Sequence, residues 1–324
     1  MTMEVPWIEK YRPRTIDDVA SQEEAVGALN NCLKTRQFPH LLFYGPAGTG
    51  KTSTILALCR QMFGDAYKDR VLELNASDER GINVVRDKIK SFASRAVSTT
   101  SKLPGFKIII LDEADAMTRD AQTALRRTME IFSSVTRFCL ICNYVSRIIE
   151  PLASRCAKFR FNSLSSHTML SRLQAICTSE KINVDDTVVS RVIELTGGDM
   201  RKAVSTLQTL HSAYGSRAVT VDDVVECTGR VKDHIIVQCL ANMKKKTLED
   251  LQEWANNLIL DGYSPDAAVR QLSAEISTDE DIDDLKKARM CLKLQEVDGR
   301  LSKGSDGFCQ LLDGLFAAHS ILNS

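Results

Sequence analysis

The chain has 324 residues, 44% of them apolar and 26% charged, and its 42 basic residues balance 42 acidic ones. Such a length predicts two or three domains with real cores, and a zero net charge means that any nucleic-acid contact must come from a local basic patch. No run approaches the roughly 20 apolar residues of a membrane span, and the charged, Pro-containing opening Met1 to Tyr11 predicts no signal peptide.

Leu41 to Tyr44 is an apolar run that ends in a Gly-rich loop, and Lys51 to Phe63 follows with helical spacing. Further strand-like runs stand at Val71 to Leu74, Ile108 to Leu111, Phe138 to Cys142 and Lys158 to Phe161. Helical patterns lie between them, as at Val84 to Arg95 and Ala121 to Phe132. This alternation predicts a parallel sheet covered by helices on both faces. Past Ser163 the strands stop. Ser165 to Lys181, Val188 to Thr196, Asp199 to Ala213 and Val219 to Cys227 predict a small helical unit. From Asp233 onward helix follows helix, broken at Gly262, at Ser264-Pro265 and around Gly304 to Gly307. The expected division is an α/β nucleotide domain over 1–163, a small helical domain over 164–229 and an all-α domain over 230–324. The ten cysteines show no metal-ligand spacing; Cys139 and Cys142 fall in an apolar run and read as buried thiols of a reducing compartment.

Gly45-Pro46-Ala47-Gly48-Thr49-Gly50-Lys51-Thr52 fits the phosphate-loop pattern between an expected strand and an expected helix. Its glycines let backbone N–H groups turn inward around the phosphates of ATP, and the helix N-terminus adds a favourable dipole. Lys51 would reach the β- and γ-phosphates and Thr52 would offer its hydroxyl to Mg²⁺, with Ser53 in the same binding set. Asp112-Glu113-Ala114-Asp115 follows an apolar run that is expected to lie beside the phosphate-loop strand. Asp112 would complete the magnesium shell and Glu113 would polarise the attacking water. Asp115 reads as a solvated carboxylate at a helix N-terminus. The same four letters occur in DEAD-box helicases, but those need two nucleotide-type domains and a different phosphate loop.

Asn143 stands just past the run Phe138 to Cys142, Arg155 lies in Ser154-Arg155-Cys156, and Arg201 closes Gly197-Gly198-Asp199-Met200-Arg201. From spacing alone Asn143 is a turn residue and each arginine is a surface residue or a helix cap. Ile82 to Ala96 would bury Val85, Ile89, Phe92 and Ala96 as one stripe. Arg86 and Lys90 lie four residues apart beside that stripe, and Arg80 precedes the helix. These three suit either a solvated basic face or a track for a phosphate backbone. Thr128 to Phe132 ends a helix with apolar residues, and core packing is the better account of Ile131 and Phe132.

Taken together, the phosphate loop, Leu111-Asp112-Glu113-Ala114-Asp115, Asn143, Ser154-Arg155-Cys156 and Gly198-Asp199-Met200-Arg201 resemble the AAA+ sliding-clamp loaders, most closely the small subunits of eukaryotic replication factor C. The opening Val5 to Pro13, Leu72 to Gly81 and Ala124 to Glu130 carry the same resemblance. Ala47 departs from it, since the family often has a second Pro there, with little expected consequence. The resemblance implies an AAA+ domain, a helical lid and a C-terminal collar. It implies that Asn143 and Arg201 are the two sensors of the γ-phosphate and that Arg155 is an arginine finger acting on a neighbouring subunit's ATP. Trp7, Tyr11 and Arg12 would belong to a strip closing over adenine. Arg80, Arg86 and Lys90 would touch primer–template DNA, and Ile131 or Phe132 would be open to a clamp contact. The implied cofactors are ATP and Mg²⁺. The implied partners are homologous subunits in a hetero-pentamer, a sliding clamp and DNA, with no membrane, in a nuclear setting of replication and repair. The alternatives are a protein-remodelling AAA+ ATPase, for which no pore-loop aromatic is evident, and a nucleotide-gated scaffold, which single-turnover hydrolysis with Glu113 changed would separate from a motor.

Overall fold

The computed structural model describes residues 5–16, 18–19, 22–35, 37–76, 82–95, 104–215, 217–245 and 247–323. The first part alternates as expected: α1 (Trp7–Lys10), α2 (Glu23–Thr35), β1 (His40–Tyr44), α3 (Lys51–Phe63), α4 (Tyr67–Arg70) and β2 (Val71–Asn75). It continues with α5 (Ile82–Ser94), β3 (Lys107–Asp112), α6 (Arg119–Ile131), β4 (Thr136–Cys142), α7 (Glu150–Ala153) and β5 (Cys156–Arg160). Helices follow: α8 (Ser166–Glu180), α9 (Asp186–Leu195), α10 (Met200–Tyr214) and α11 (Val221–Cys227). The C-terminal set is α12 (Asp233–Lys245), α13 (Leu248–Leu260), α14 (Pro265–Thr278), α15 (Asp284–Leu301) and α16 (Gly307–Asn323). By its contacts the chain gathers into two compact units, one of Met1–Lys181 with Val192–Gln208, the other of Ile182–Arg191 with Thr209–Ser324.

In the first unit the five strands are parallel, in the order β2-β3-β4-β1-β5. This corrects one expectation: β4 lies between β1 and β3, so the acidic strand is not the neighbour of the phosphate-loop strand. The pleat explains why the runs in the three inner strands β1, β3 and β4 are apolar throughout. Leu41, Phe43, Ile108, Ile110, Cys139 and Ile141 pack on one face with Ile55, Leu58, Cys59 and Phe63 of α3. Leu42, Ile109, Leu111, Phe138, Leu140 and Cys142 pack on the other with Ile89 and Phe92 of α5 and Leu125 and Met129 of α6. A strand buried on both faces needs no polar alternation. Leu41, Leu42 and Phe43 are wholly buried, and truncating any of them to Ala would cost about 2–5 kcal/mol.

Ile89, Phe92 and Ala93 form the buried stripe of α5; the side chain of Val85 and the whole of Ala96 lie outside the described residues. The expectation for the end of α6 divides. Phe132 packs against the core, whereas Ile131 is 70% exposed, because it faces away from the side of α6 that buries Leu125, Thr128 and Met129.

The second unit has its own core, in which Leu251, Trp254, Leu272, Met290, Leu294 and Leu315 are buried together. Gln271 is buried there because its amide bonds both the N–H and the carbonyl of Val231, at 2.9 and 2.8 Å. The chain breaks where Gly262 and Pro265 predicted. It also breaks before Thr247 and over 279–283, where capping and not Gly or Pro resets the helix. Thr247 and Asp250 form a reciprocal capping box, and Asp283 caps the N–H of Leu285.

Candidate nucleotide site

The carboxyl ends of β1, β4 and β3 are adjacent, and their loops build one cleft. After β1 the chain must turn sharply beneath neighbouring backbone. At Gly45 φ is +145° and a Cβ would stand 2.1 Å from the Phe161 carbonyl oxygen; at Gly48 φ is +72° and a Cβ would stand 2.0 Å from Asp199 Oδ1. Only glycine meets both demands at these positions. Lys51 opens α3 and is 7% exposed. Its Nζ donates to the carbonyls of Gly45 and Pro46 at 2.7 Å each and to Asn143 Oδ1 at 2.9 Å. Burial pulls its pKa below the ordinary lysine range, against the opposing pull of Asp112.

Thr52 Oγ1, in the first turn of α3, donates to Asp112 Oδ2 at the end of β3 at 2.7 Å, so the pair meets although β4 separates β3 from the strand β1 that leads into α3. Asp112 Oδ1 accepts the N–H of Glu113 at 2.9 Å. Glu113 is exposed to the cleft and has φ +54°, a left-handed conformation that a non-glycine residue adopts at a cost on the order of 1–3 kcal/mol. Asp115 corrects the expectation of a solvated helix-end carboxylate. The tight turn Ala114–Ala116 swings it back, and its Oδ2 accepts the N–H groups of Asn143 at 3.2 Å and Tyr144 at 3.1 Å. It therefore fixes the loop that presents Asn143 to Lys51.

The cleft has a volume of about 260 Å³, and its lining includes Ala47 to Ser53, Trp7, Tyr11, Arg12, Glu113, Asn143 and Arg201. The N-terminal strip is tied down from three sides. The Trp7 N–H donates to Gln208 Oε1 at 3.0 Å, Tyr11 Oη and Lys10 Nζ both bond Glu180 at the end of α8, and Arg12 Nε donates to Ser53 Oγ at 3.4 Å. Arg201 sits in the first turn of α10. Arg172 of α8 also lines the cleft; nothing in its spacing distinguishes it from other surface arginines of an amphipathic helix. Gln122, buried in α6, joins the carbonyls of Met117 and Arg147 to the N–H of Ile149. A glutamine on the apolar side of that helix was the available signal.

Arg155 is not among the residues lining the cleft. Its Nη2 lies 2.5 Å from Glu130 and its Nη1 donates to the Pro151 carbonyl at 2.7 Å. Of the basic set, Lys90 is exposed on α5. Arg80 and the side chain of Arg86 lie outside the described residues.

Three family models match the chain in succession. The ATPase family associated with various cellular activities (AAA) matches residues 41–164, the RCF1/5-like AAA+ ATPase lid domain 171–212, and the Replication factor C C-terminal domain 231–317. Replication factor C subunit 2 of Oryza sativa subsp. japonica is 50% identical over 313 residues, covering 95% of this chain and 92% of that protein. Replication factor C subunit 4 of Homo sapiens is 46% identical, covering 95% of this chain and 86% of that protein. The Replication factor C small subunit of Archaeoglobus fulgidus is 44% identical, covering 94% of each. The RuvB Holliday junction branch migration motor of Thermotoga maritima superposes with a TM-score of 0.53 at 13% identity, covering 74% of this chain and 84% of that one, and so shares the fold. With identity of that order running through nearly the full length of its relatives, the chain belongs to the replication factor C family of AAA+ ATPases.

Proposed function

We propose that this chain is a hydrolysing, magnesium-dependent subunit of its clamp loader, with an arginine finger that serves a neighbour. Clamp loading in DNA replication, driven by ATP, is the role of the family to which it belongs. The observation that carries the finer reading is the meeting of Lys51, Asn143, Thr52 and Asp112 at the ends of three adjacent strands, with Arg201 on the same cleft. Lys51 would neutralise the β- and γ-phosphates, and Asn143 and Arg201 would contact the γ-phosphate. Glu113 would take up or orient the proton of the attacking water.

Thr52 and Asp112 are two hard oxygen donors in mutual contact and fit Mg²⁺, which takes a few protein oxygens and completes its shell with phosphates and water. When bound there it would spread the negative charge that develops on the phosphates. Among the described residues no cluster of three acidic, His or Cys side chains offers an all-protein metal cage, which suits an ion held partly by substrate.

The three family-model spans support division near 163/164 and 229/230 into motor, lid and collar. Leu260, Leu285 and Leu292, exposed at 82%, 60% and 72%, are apolar side chains that a collar could bury, and the assembly proposed for it is a hetero-pentamer with homologous subunits. No helix among the described residues is long and apolar enough to cross a membrane. Because replication factor C subunits of eukaryotes are among the relatives, the proposed setting is the nucleus, with repair as a further use of the same reaction. On the assembled complex, Arg80, Arg86 and Lys90 would follow the phosphates of primer–template DNA. Neutralising Arg86 and Lys90 together should weaken binding of unrelated duplexes alike and flatten the slope of log affinity against log salt by about 1–2. An unchanged slope would remove this helix from the DNA path.

A further inference from the structure

Gly48 of the phosphate loop is in direct contact with Asp199 of the turn that precedes α10. A Cβ on Gly48 would stand 2.0 Å from Asp199 Oδ1 and 3.1 Å from its Cα, so no side chain fits between loop and turn. Gly197 and Gly198, at φ +61° and +80°, make the turn that delivers Asp199 there. The same Oδ1 accepts the backbone N–H of Arg201 at 2.9 Å and of Lys202 at 3.3 Å, capping the helix that carries Arg201 into the cleft. One carboxylate oxygen thus touches both the loop meant for phosphates and the base of a helix that presents a cation to them.

Capping alone does not require a charge, since Asn and Ser cap helices about as well as Asp. The charge has a separate consequence. A carboxylate against a loop that holds a polyanion opposes the phosphates, and across several ångströms, in surroundings between water and protein interior, this repulsion amounts to about three- to tenfold in affinity. We propose that Asp199 is a positioning residue that ties α10 to the phosphate loop, and that its charge limits nucleotide retention so that ADP leaves, a role that deepens the ATP-binding function above and depends on it. Nucleotide occupancy and the placement of Arg201 are then linked through one side chain.

Asp199→Asn and Asp199→Ser keep the cap and remove the charge. In the full-length chain both should bind a fluorescent ADP analogue about three- to tenfold more tightly, mainly through slower release in stopped flow. The gain should shrink as salt is raised, because the interaction is between partly solvated charges. Melting temperatures should stay near that of the parent chain, whereas Asp199→Ala should lower its own by removing the cap. Unchanged or weaker ADP binding in both capped variants would overturn the inference and leave Asp199 as a helix cap. Lys51→Ala is the control: if it too binds ADP like the parent chain, the nucleotide-site assignment itself fails, which is a different result.

Discussion

Lys51 and Glu113 occupy the same cleft but in opposite conditions. Lys51 is buried, with its ammonium shared among two loop carbonyls and Asn143, while Glu113 is exposed in a strained backbone conformation. Lys51→Ala removes the loop's lysine and should abolish nucleotide binding. Glu113→Gln should bind ATP like the parent chain and lose turnover, because an amide cannot accept the proton; equilibrium binding beside single-turnover hydrolysis separates the two, and an equal loss of affinity in both would contradict the assignment. Asp115→Ala should act between these. It frees the N–H groups of Asn143 and Tyr144, so kcat should fall about tenfold or more with little change in ATP affinity. The phosphate loop and Asp112 were legible from spacing because their chemistry demands fixed residues at fixed intervals. Asp115 and Gln122 were not, because each bonds backbone groups distant in sequence; nor was the approach of Asp199 to Gly48, since the letters record no partner.

The strands were legible as elements because burial on both faces makes the runs in β1, β3 and β4 apolar throughout, while the outer β2 and β5 still set apolar residues beside Glu73 and Lys158. Their order was not. Nothing in the composition of Thr136 to Cys142 says that it inserts between β1 and β3, since that depends on crossovers. Helix ends made by Gly and Pro were read correctly, while those made by Thr247 with Asp250 and by Asp283 were missed, as a cap needs a geometry that many Thr and Asp residues never adopt. One contact between strands gives a pH-dependent stability. His40 opens β1, and its Nδ1 accepts the N–H of Phe138, the third residue of β4, at 3.1 Å. Burial, aided by the charge of Arg137, pulls the His40 pKa down to about 4 from 6.5. The unfolded chain therefore takes up this proton first as pH falls, so stability is full above about pH 6.5 and declines towards pH 4. The loss from this one group should reach about 3 kcal/mol. Urea unfolding at a series of pH values should show a shallower decline in His40→Gln across that window, and parallel curves would mean that His40 does not supply it.

At the scale of the whole molecule, the features unexplained within one chain are those at its surface. Arg155 is the sharpest of them. Its guanidinium is held by Glu130, which also takes Arg126 Nε at 3.1 Å, and by the Pro151 carbonyl, outside the lining of its own cleft. Partly exposed ion pairs of this kind contribute about 0–1 kcal/mol, so the cluster does little for folding and Arg155→Ala should leave the chain folded. It does fix the orientation of a cation that no group in its own nucleotide site uses, which suits an arginine offered to another subunit. An arginine supplied in trans stabilises charge developing on the transferred phosphate and is worth about 10³–10⁵ in rate where it has been isolated. Arg155→Ala should therefore leave this subunit's own ATP affinity and turnover intact and slow hydrolysis at one neighbouring site by about a thousandfold. The measurement places the variant in complexes where a single chosen site can hydrolyse, with Glu113→Gln or its counterpart silencing the rest. Slow turnover confined to the site of the adjoining subunit is the expected result. If the site that slows is the variant's own, Arg155 works within its chain and the trans assignment is wrong.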